Sequence, residues 1–313
     1  MTLPGDDHPA TTIPVTRALR RSRGRWRLFA FVVLAIAVAL AFVRLVPGYA
    51  GTGPAIARVT ISGTIATDAA RTELLDKLAK DDDVAAVIVA INSPGGTTAG
   101  GEELYETLRQ LGEQKPVVAT IGELGASAAY MGAVATDRIF ARNLSIVGSI
   151  GVFYQHVDAG KLLDTIGVDL QKVASGTLKG RPDYNEPITP EVRASLEQLV
   201  DSSFQYFVDV VAERRDLSRA QTLALADGRI LSGVMAAQAG LVDAMGGQAE
   251  ARQWLQAEHG IDTELAVLDV WPPRGSRGWL DFLLGAVAGA LSDTGWQGFP
   301  LDGLVSLWHP SSR

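Results

Sequence analysis

The sequence predicts an α/β fold with mostly parallel strands, and three observations carry that reading. From Ile56 to Asp269, β-rich apolar segments alternate with segments of helical periodicity. One of them, Val84–Ile91 (VAAVIVAI), is an unbroken apolar run, as a strand covered on both faces requires. Hydrophobic residues make up 47% of the 313-residue chain and charged residues 20%, which supplies a packed core and excludes a disordered or collagen-like protein.

In order along the chain, Ile56–Ile65 reads as the first strand, Thr67–Lys80 as a helix and Val84–Ile91 as the second strand. Thr98–Gln114 is a helix, Pro116–Ile121 a strand, and Ala126–Ala135 a short helix of small residues. Further strands are expected at Arg138–Ala141 and Leu170–Ala174, with a helix over Ala159–Ile166 between them. Thr189-Pro190-Glu191 opens a long helix, because threonine caps it and proline suits its first position. Leu196, Val200, Phe204, Phe207, Val208 and Val211 form its apolar stripe, and Ser218 with Gln221 makes a capping box for the next helix.

The net charge of −7 hides an asymmetry, since residues 1–27 hold six arginines against only Asp6 and Asp7. An acidic body behind a basic leader argues against a nucleic-acid partner. With no cysteine there is no disulfide framework, zinc-thiolate site, iron–sulfur cluster or cysteine nucleophile. After the leader, residues 28–46 are apolar apart from Arg44, and at ~1.5 Å per residue they reach about 28 Å, close to the bilayer's hydrocarbon thickness. The expected organisation is therefore a cytoplasmic leader (1–27), a transmembrane anchor (28–46), a Gly/Pro linker (47–54), a folded domain (55–270) and an apolar extension (271–313). The apolar run exceeds the usual ~7–15-residue core of a signal peptide, which favours an anchor over cleavage near Gly48-Tyr49-Ala50. In the extension, Trp279–Leu291 and Leu301–Trp308 are too short to span a bilayer. They read as a helix closing the core or as an oligomer contact, with interfacial membrane contact as the alternative.

Two glycine-containing segments follow apolar strands. INSPGG (Ile91–Gly96) reads as a turn whose backbone amides could hold a phosphate or an oxyanion. GASAAYM (Gly125–Met131) places Ser127 at a helix start among small residues, where it is either a plain N-cap or an exposed nucleophile. Together they offer the nucleophile and oxyanion hole of an acyl-transfer site. For a base, His156 is the one serious histidine, and Lys179 is the one lysine on a glycine-flanked loop (SGTLKGRPD).

INSPGG, GASAAY, IVGSIGV (Ile146–Val152), ASGTLKGRPD (Ala174–Asp183), ADGRILSG (Ala226–Gly233) and AGLVDAMGG (Ala239–Gly247), in that order, resemble bacterial signal peptide peptidase A of the short, single-copy form. The resemblance implies a Clp protease/crotonase-like fold and a Ser-Lys dyad, with Ser127 as nucleophile and Lys179 as general base. It further implies that Ser149 orients the lysine and that the amides of Gly96 and Ala128 form the oxyanion hole, with no cofactor and no metal. Ala128 and Ala129 stand where many members have glycine, which adds methyl groups beside the nucleophile.

A lysine is a base only as the neutral amine, a minor form at pH 7 given its ordinary pKa of ~10.4, so it needs a site that excludes water and carboxylates. Lys179 has no acidic residue within three positions, and Asp183 is the nearest. The resemblance also implies a closed homo-oligomeric ring, an octamer, in which lysine and serine meet across a subunit boundary. On this reading the chain is an inner-membrane endopeptidase with an extracytoplasmic catalytic domain, acting on cleaved signal peptides and misfolded polypeptide segments. The competing readings are a crotonase-fold acyl-CoA hydratase or isomerase and a non-catalytic membrane scaffold ring.

Overall fold

The computed structural model describes residues 29–35, 53–272 and 305–307. The chain divides into two compact units, Met1–Thr52 and Gly53–Arg313. In the first, residues 29–35 form a helix (α1) with Phe29, Phe31, Val32, Val33 and Leu34 exposed. The remainder of the expected anchor lies outside the described residues, and among the described residues no helix is long and apolar enough to cross a membrane. Trp279–Leu291 also lies outside them.

The second unit runs β1 (Ala55–Ile65), α2 (Ala69–Lys80), β2 (Val84–Thr97), α3 (Thr98–Gly112), β3 (Val117–Ala126), α4 (Ala128–Val134), β4 (Arg138–Ala141) and β5 (Ile146–Gly148). It continues with α5 (Gly160–Thr165), α6 (Pro190–Arg215), α7 (Arg219–Leu225), β6 (Ile230–Ser232), α8 (Gly233–Gln238), β7 (Ala244–Met245), α9 (Gln248–His259), β8 (Val267–Trp271) and β9 (Val305–Leu307). The sheet order is β6-β5-β3-β2-β1-β8, with β4 on β3, β7 on β4 and β9 on β2. All pairings are parallel except β2 with β9 and β5 with β6.

The unbroken apolar run in β2 is explained by cover on both faces. Val87, Val89 and Ile91 join the larger core with residues of α2, α3, α4 and α6, whereas Ala86 and Ile88 face Ala251 and Leu255 of α9. Helix α4 is wholly buried, and Tyr130 ties it down by donating its hydroxyl to the Leu241 carbonyl at 2.8 Å. Burial pushes that phenol far above its ordinary pKa, so it remains a donor across the working pH range.

Three expectations need correction. The INSPGG segment is not a turn: β2 continues to Thr97 because β1 keeps pairing with it, Thr64↔Gly95 and Ile65↔Gly96. Leu170–Ala174 forms no strand, since these residues are all exposed and no neighbouring strand pairs with them. For Leu301–Trp308 a helix closing the core, an oligomer contact or an interfacial membrane contact was expected; residues 305–307 instead enter the sheet as β9. In α6, Phe207, Val208 and Val211 are buried as expected, while Leu196, Val200 and Phe204 are only half-buried.

Tyr130→Phe should leave the Leu241 carbonyl without its donor in a dry core and cost about 1–3 kcal/mol. Denaturant titration should show the lowered midpoint with an unchanged slope.

Candidate active site

Ser127 sits where β3 ends and α4 begins, with φ 58° and ψ −125°, a left-handed conformation that a non-glycine residue adopts at a cost. Its side chain makes no capping hydrogen bond to α4, so the bland role of an N-cap is not the one it fills. Its amide donates to the Gly148 carbonyl at 2.8 Å, and its carbonyl accepts from Met131 N at 3.0 Å. The side chain is buried, 1% exposed.

That bond to Gly148 reflects register. β3 and β5 pair as Leu124↔Ile146, Gly125↔Val147 and Ala126↔Gly148, so the next residue on each strand is a serine. Ser149 also has positive φ, 50°, and is 9% exposed. The two serines thus leave neighbouring strand ends together, with the strands about 4.8 Å apart. Ser149 is held from its other side, since its amide donates to the Arg229 carbonyl at 2.8 Å. Asp227 shapes that turn, accepting from the Arg229 amide at 3.0 Å and from the guanidinium at 2.5–2.9 Å. Hydrogen bonds from the guanidinium, then from the backbone, hold the Asp227 carboxyl at about 2. The pair is therefore ionised across the neutral pH range. Sequence reasoning gave these two residues no role, although Asp-Gly between apolar segments marks a turn.

Gly96 lies on the extended end of β2, beyond the Ser93↔Gly125 pairing with β3. A side chain there is impossible without rearrangement, since a Cβ would meet the Ile65 carbonyl oxygen at 1.8 Å. Ser93 braces the approach, donating to the Gly63 carbonyl at 2.6 Å and accepting from Gly95 N at 3.1 Å, where Gly95 has φ 106°. Ala128 opens α4, where its amide carries the helix's positive end. Its methyl points at α3: a Cβ on Gly101 would come within 2.9 Å of Ala128 Cβ. Ala129 joins the larger core. The two extra methyl groups are thus absorbed by protein packing.

Lys179 is exposed in a turn of its own, its amide donating to the Gly176 carbonyl at 3.1 Å. Among the described residues its amine has no ion pair. Asp183 is engaged elsewhere, by Lys172 at 2.6 Å, and hydrogen bonding from that amine lowers the Asp183 carboxyl below its usual range. Lys172 also donates to the carbonyl of Gly180, next to Lys179, a positioning role that sequence reasoning missed. His156 Nε2 lies 2.9 Å from the Glu186 carbonyl, which can only accept, so the ring is occupied with local structure. Among the described residues, none of 151–190 is buried. Metal-binding clusters of His, Asp or Glu are absent from the described residues.

Residues 109–262 match the profile of peptidase family S49. A candidate protease of Synechocystis sp. is 35% identical over 224 residues, 71% of this chain and 81% of that one. The chain belongs to peptidase family S49. It is a serine-type protease by that membership. The chloroplastic serine protease SPPA of Arabidopsis thaliana is 31% identical to this S49 peptidase over 201 residues, 64% of this chain but only 30% of the plant protein. A ClpP1 mutant from Listeria monocytogenes is similar in backbone at TM-score 0.39 and 16% identity, over 62% of this chain and 92% of that one.

In this S49 peptidase, if the Gly96 amide is an oxyanion donor as the sequence reading expects, Gly96→Ala should lower turnover of a fluorogenic peptide by at least about 100-fold, because its Cβ displaces that segment. Asp227→Ala should reduce kcat several-fold with KM unchanged, since the turn it shapes acts on Ser149 and touches no substrate.

Proposed function

We propose that this S49 peptidase is a membrane-anchored serine endopeptidase with a Ser127–Lys179 dyad, degrading cleaved signal peptides and misfolded segments at the membrane. The observation that carries it is the strained serine at the β3–α4 junction, in register with a second positive-φ serine. Strain of this kind persists where the surroundings over-determine it, and it clusters at reacting centres.

The chemistry follows from the groups assembled. The neutral Lys179 amine takes the Ser127 hydroxyl proton as Oγ attacks the scissile carbonyl. The amides of Gly96 and Ala128 hold the oxyanion, and the lysine then protonates the leaving nitrogen. Water, activated by the same amine, hydrolyses the acyl-enzyme. Ser149 accepts a hydrogen bond from the amine and orients it without adding charge. The S49 assignment favours this over acyl-CoA chemistry.

A homo-oligomeric ring, an octamer, completes the site. Lys179 rides on a segment whose apolar side chains Val157, Leu162, Ile166, Val168, Leu170 and Val173 are exposed, Val173 fully. Such a face is a poor end state in water, and a second copy covering it would bring the lysine to a neighbour's Ser127 and strip its water. The anchor reading rests on the arginine-rich leader and the apolar stretch 28–46, part of which is helical with exposed apolar side chains. It sets the N-terminus in the cytoplasm and the catalytic domain outside the inner membrane.

A fluorophosphonate probe should label the wild type and fail on Ser127→Ala; labelling at another residue would refute the nucleophile. A non-catalytic scaffold would show no labelling at all. Ser127→Ala and Lys179→Ala subunits, each inactive alone, should recover part of the activity when mixed through hybrid sites. Persistent inactivity in well-mixed rings would mean that each subunit builds its own site. Turnover should rise with pH to an alkaline plateau as the base loses its proton, and a maximum below pH ~6 would exclude a lysine base.

A further inference from the structure

Two lysines flank Gly180: Lys179 precedes it in the chain and Lys172 lies across it. Lys172 Nζ pairs with the Asp183 carboxylate at 2.6 Å and donates to the Gly180 carbonyl. Because one amine holds both oxygens, they lie within about 6 Å of each other. The stem of Lys172 passes so close that a Cβ on Gly180 would come within 3.3 Å of Nζ and 3.6 Å of Cε. Gly180 also has φ 71°, so a residue without a side chain serves both the turn and the close approach.

The carboxylates of this loop are committed to groups other than Lys179. Asp183, the acidic residue nearest to it in sequence, accepts from Tyr184 N at 2.9 Å as well as from Lys172. Glu186 faces Arg181 at 3.5 Å and accepts from Asp183 N at 3.0 Å. Glu191, in the first turn of α6, accepts from the Thr177 hydroxyl at 3.3 Å. His156, 2.9 Å from the Glu186 carbonyl, adds positive charge toward Asp183 when protonated. The side chains of Lys172 and Asp183 are 37% and 26% exposed, and a pair so placed adds little stability. Its effect on a neighbouring amine is larger. A general base must be neutral, and a free carboxylate within ~4–6 Å favours the charged ammonium instead.

We propose that Lys172 is a positioning residue for the base: it sequesters the Asp183 carboxylate and fixes the Gly180 carbonyl, which leaves the Lys179 amine without a carboxylate and able to lose its proton. This rests on the peptidase reading, in which Lys179 is the base. Lys172, Lys179 and Asp183 belong to one chain, so the arrangement holds for whichever subunit's Ser127 the amine serves.

The pH dependence of kcat/KM for a fluorogenic peptide, measured on the full-length assembled protein, tests it. Lys172→Met keeps the stem and removes the amine, which releases Asp183 toward Lys179. The alkaline rise should then move up by about one pH unit, with turnover at neutral pH down about 10-fold and the alkaline plateau retained. Adding Asp183→Asn to Lys172→Met should return the midpoint to the wild-type value, because a neutral amide does not stabilise the ammonium. Lys172→Arg, which keeps the ion pair, should keep the wild-type midpoint. A wild-type profile in Lys172→Met would overturn the inference and leave the peptidase reading standing. So would a lowered plateau with an unmoved midpoint that Asp183→Asn does not correct, the mark of a merely structural role. Asp183→Asn alone has no carboxylate to release, and an upward shift there would overturn the inference too. Full activity of Lys179→Ala would overturn the assignment of the base, and this inference with it.

Discussion

The site depends on one backbone hydrogen bond, from Ser127 N to Gly148 O at 2.8 Å. It is the last rung between β3 and β5, and it forms as both chains leave the sheet. Because the register ends on Ala126↔Gly148, the following residues are forced to turn together, and both take positive φ. A slip of one residue would face the wrong side chains inward along both strands, so the buried Val147 and Ala126 enforce the alignment that brings the serines side by side. The strain at Ser127 is offset by its surroundings: α4 is entirely buried and anchored through Tyr130, and Ser149 is held from the β6 side by the Arg229 carbonyl.

Around that rung the fold separates a densely packed part from an exposed one. Ser127 and Ala128 sit at well-packed elements, where α4 is wholly buried and α3 approaches it closely enough that Gly101 accommodates the Ala128 methyl. The lysine sits on a segment with no buried residue, organised by Lys172, Asp183 and His156 rather than by a core. Exposed ion pairs of this kind add little stability. On the proposed reading, association brings the base to the serine, and a lone chain carries an incomplete centre.

Much of this was legible in the sequence, and the misses have physical causes. Helix starts at Thr189 and Ser218 were readable because capping is local chemistry, and both caps form. The strand-to-helix junction at Ser127 was readable because an apolar strand pattern gives way there to helix-compatible small residues. Pro94-Gly95-Gly96 was misread as a turn because glycine and proline report only conformational permission. Whether such a segment continues as a strand depends on a neighbour, here β1, that local pattern does not reveal. The Leu170–Ala174 error has the reverse cause, since β-type composition makes no strand where no partner strand is offered. The Asp227–Arg229 turn escaped notice because it acts through its backbone carbonyl, which no side-chain motif announces.

The most direct test of the central claim is a crystal structure of the assembled protein reacted with a peptide boronic acid. The account predicts boron bonded to Ser127 Oγ, with a boronate oxygen about 2.7–3.1 Å from the amides of both Gly96 and Ala128. It also predicts Ser127 still in its positive-φ conformation and a neighbouring subunit's Lys179 amine within hydrogen-bond reach of Ser149. Boron on any other residue, or a boronate oxygen facing solvent instead of those two amides, would contradict it.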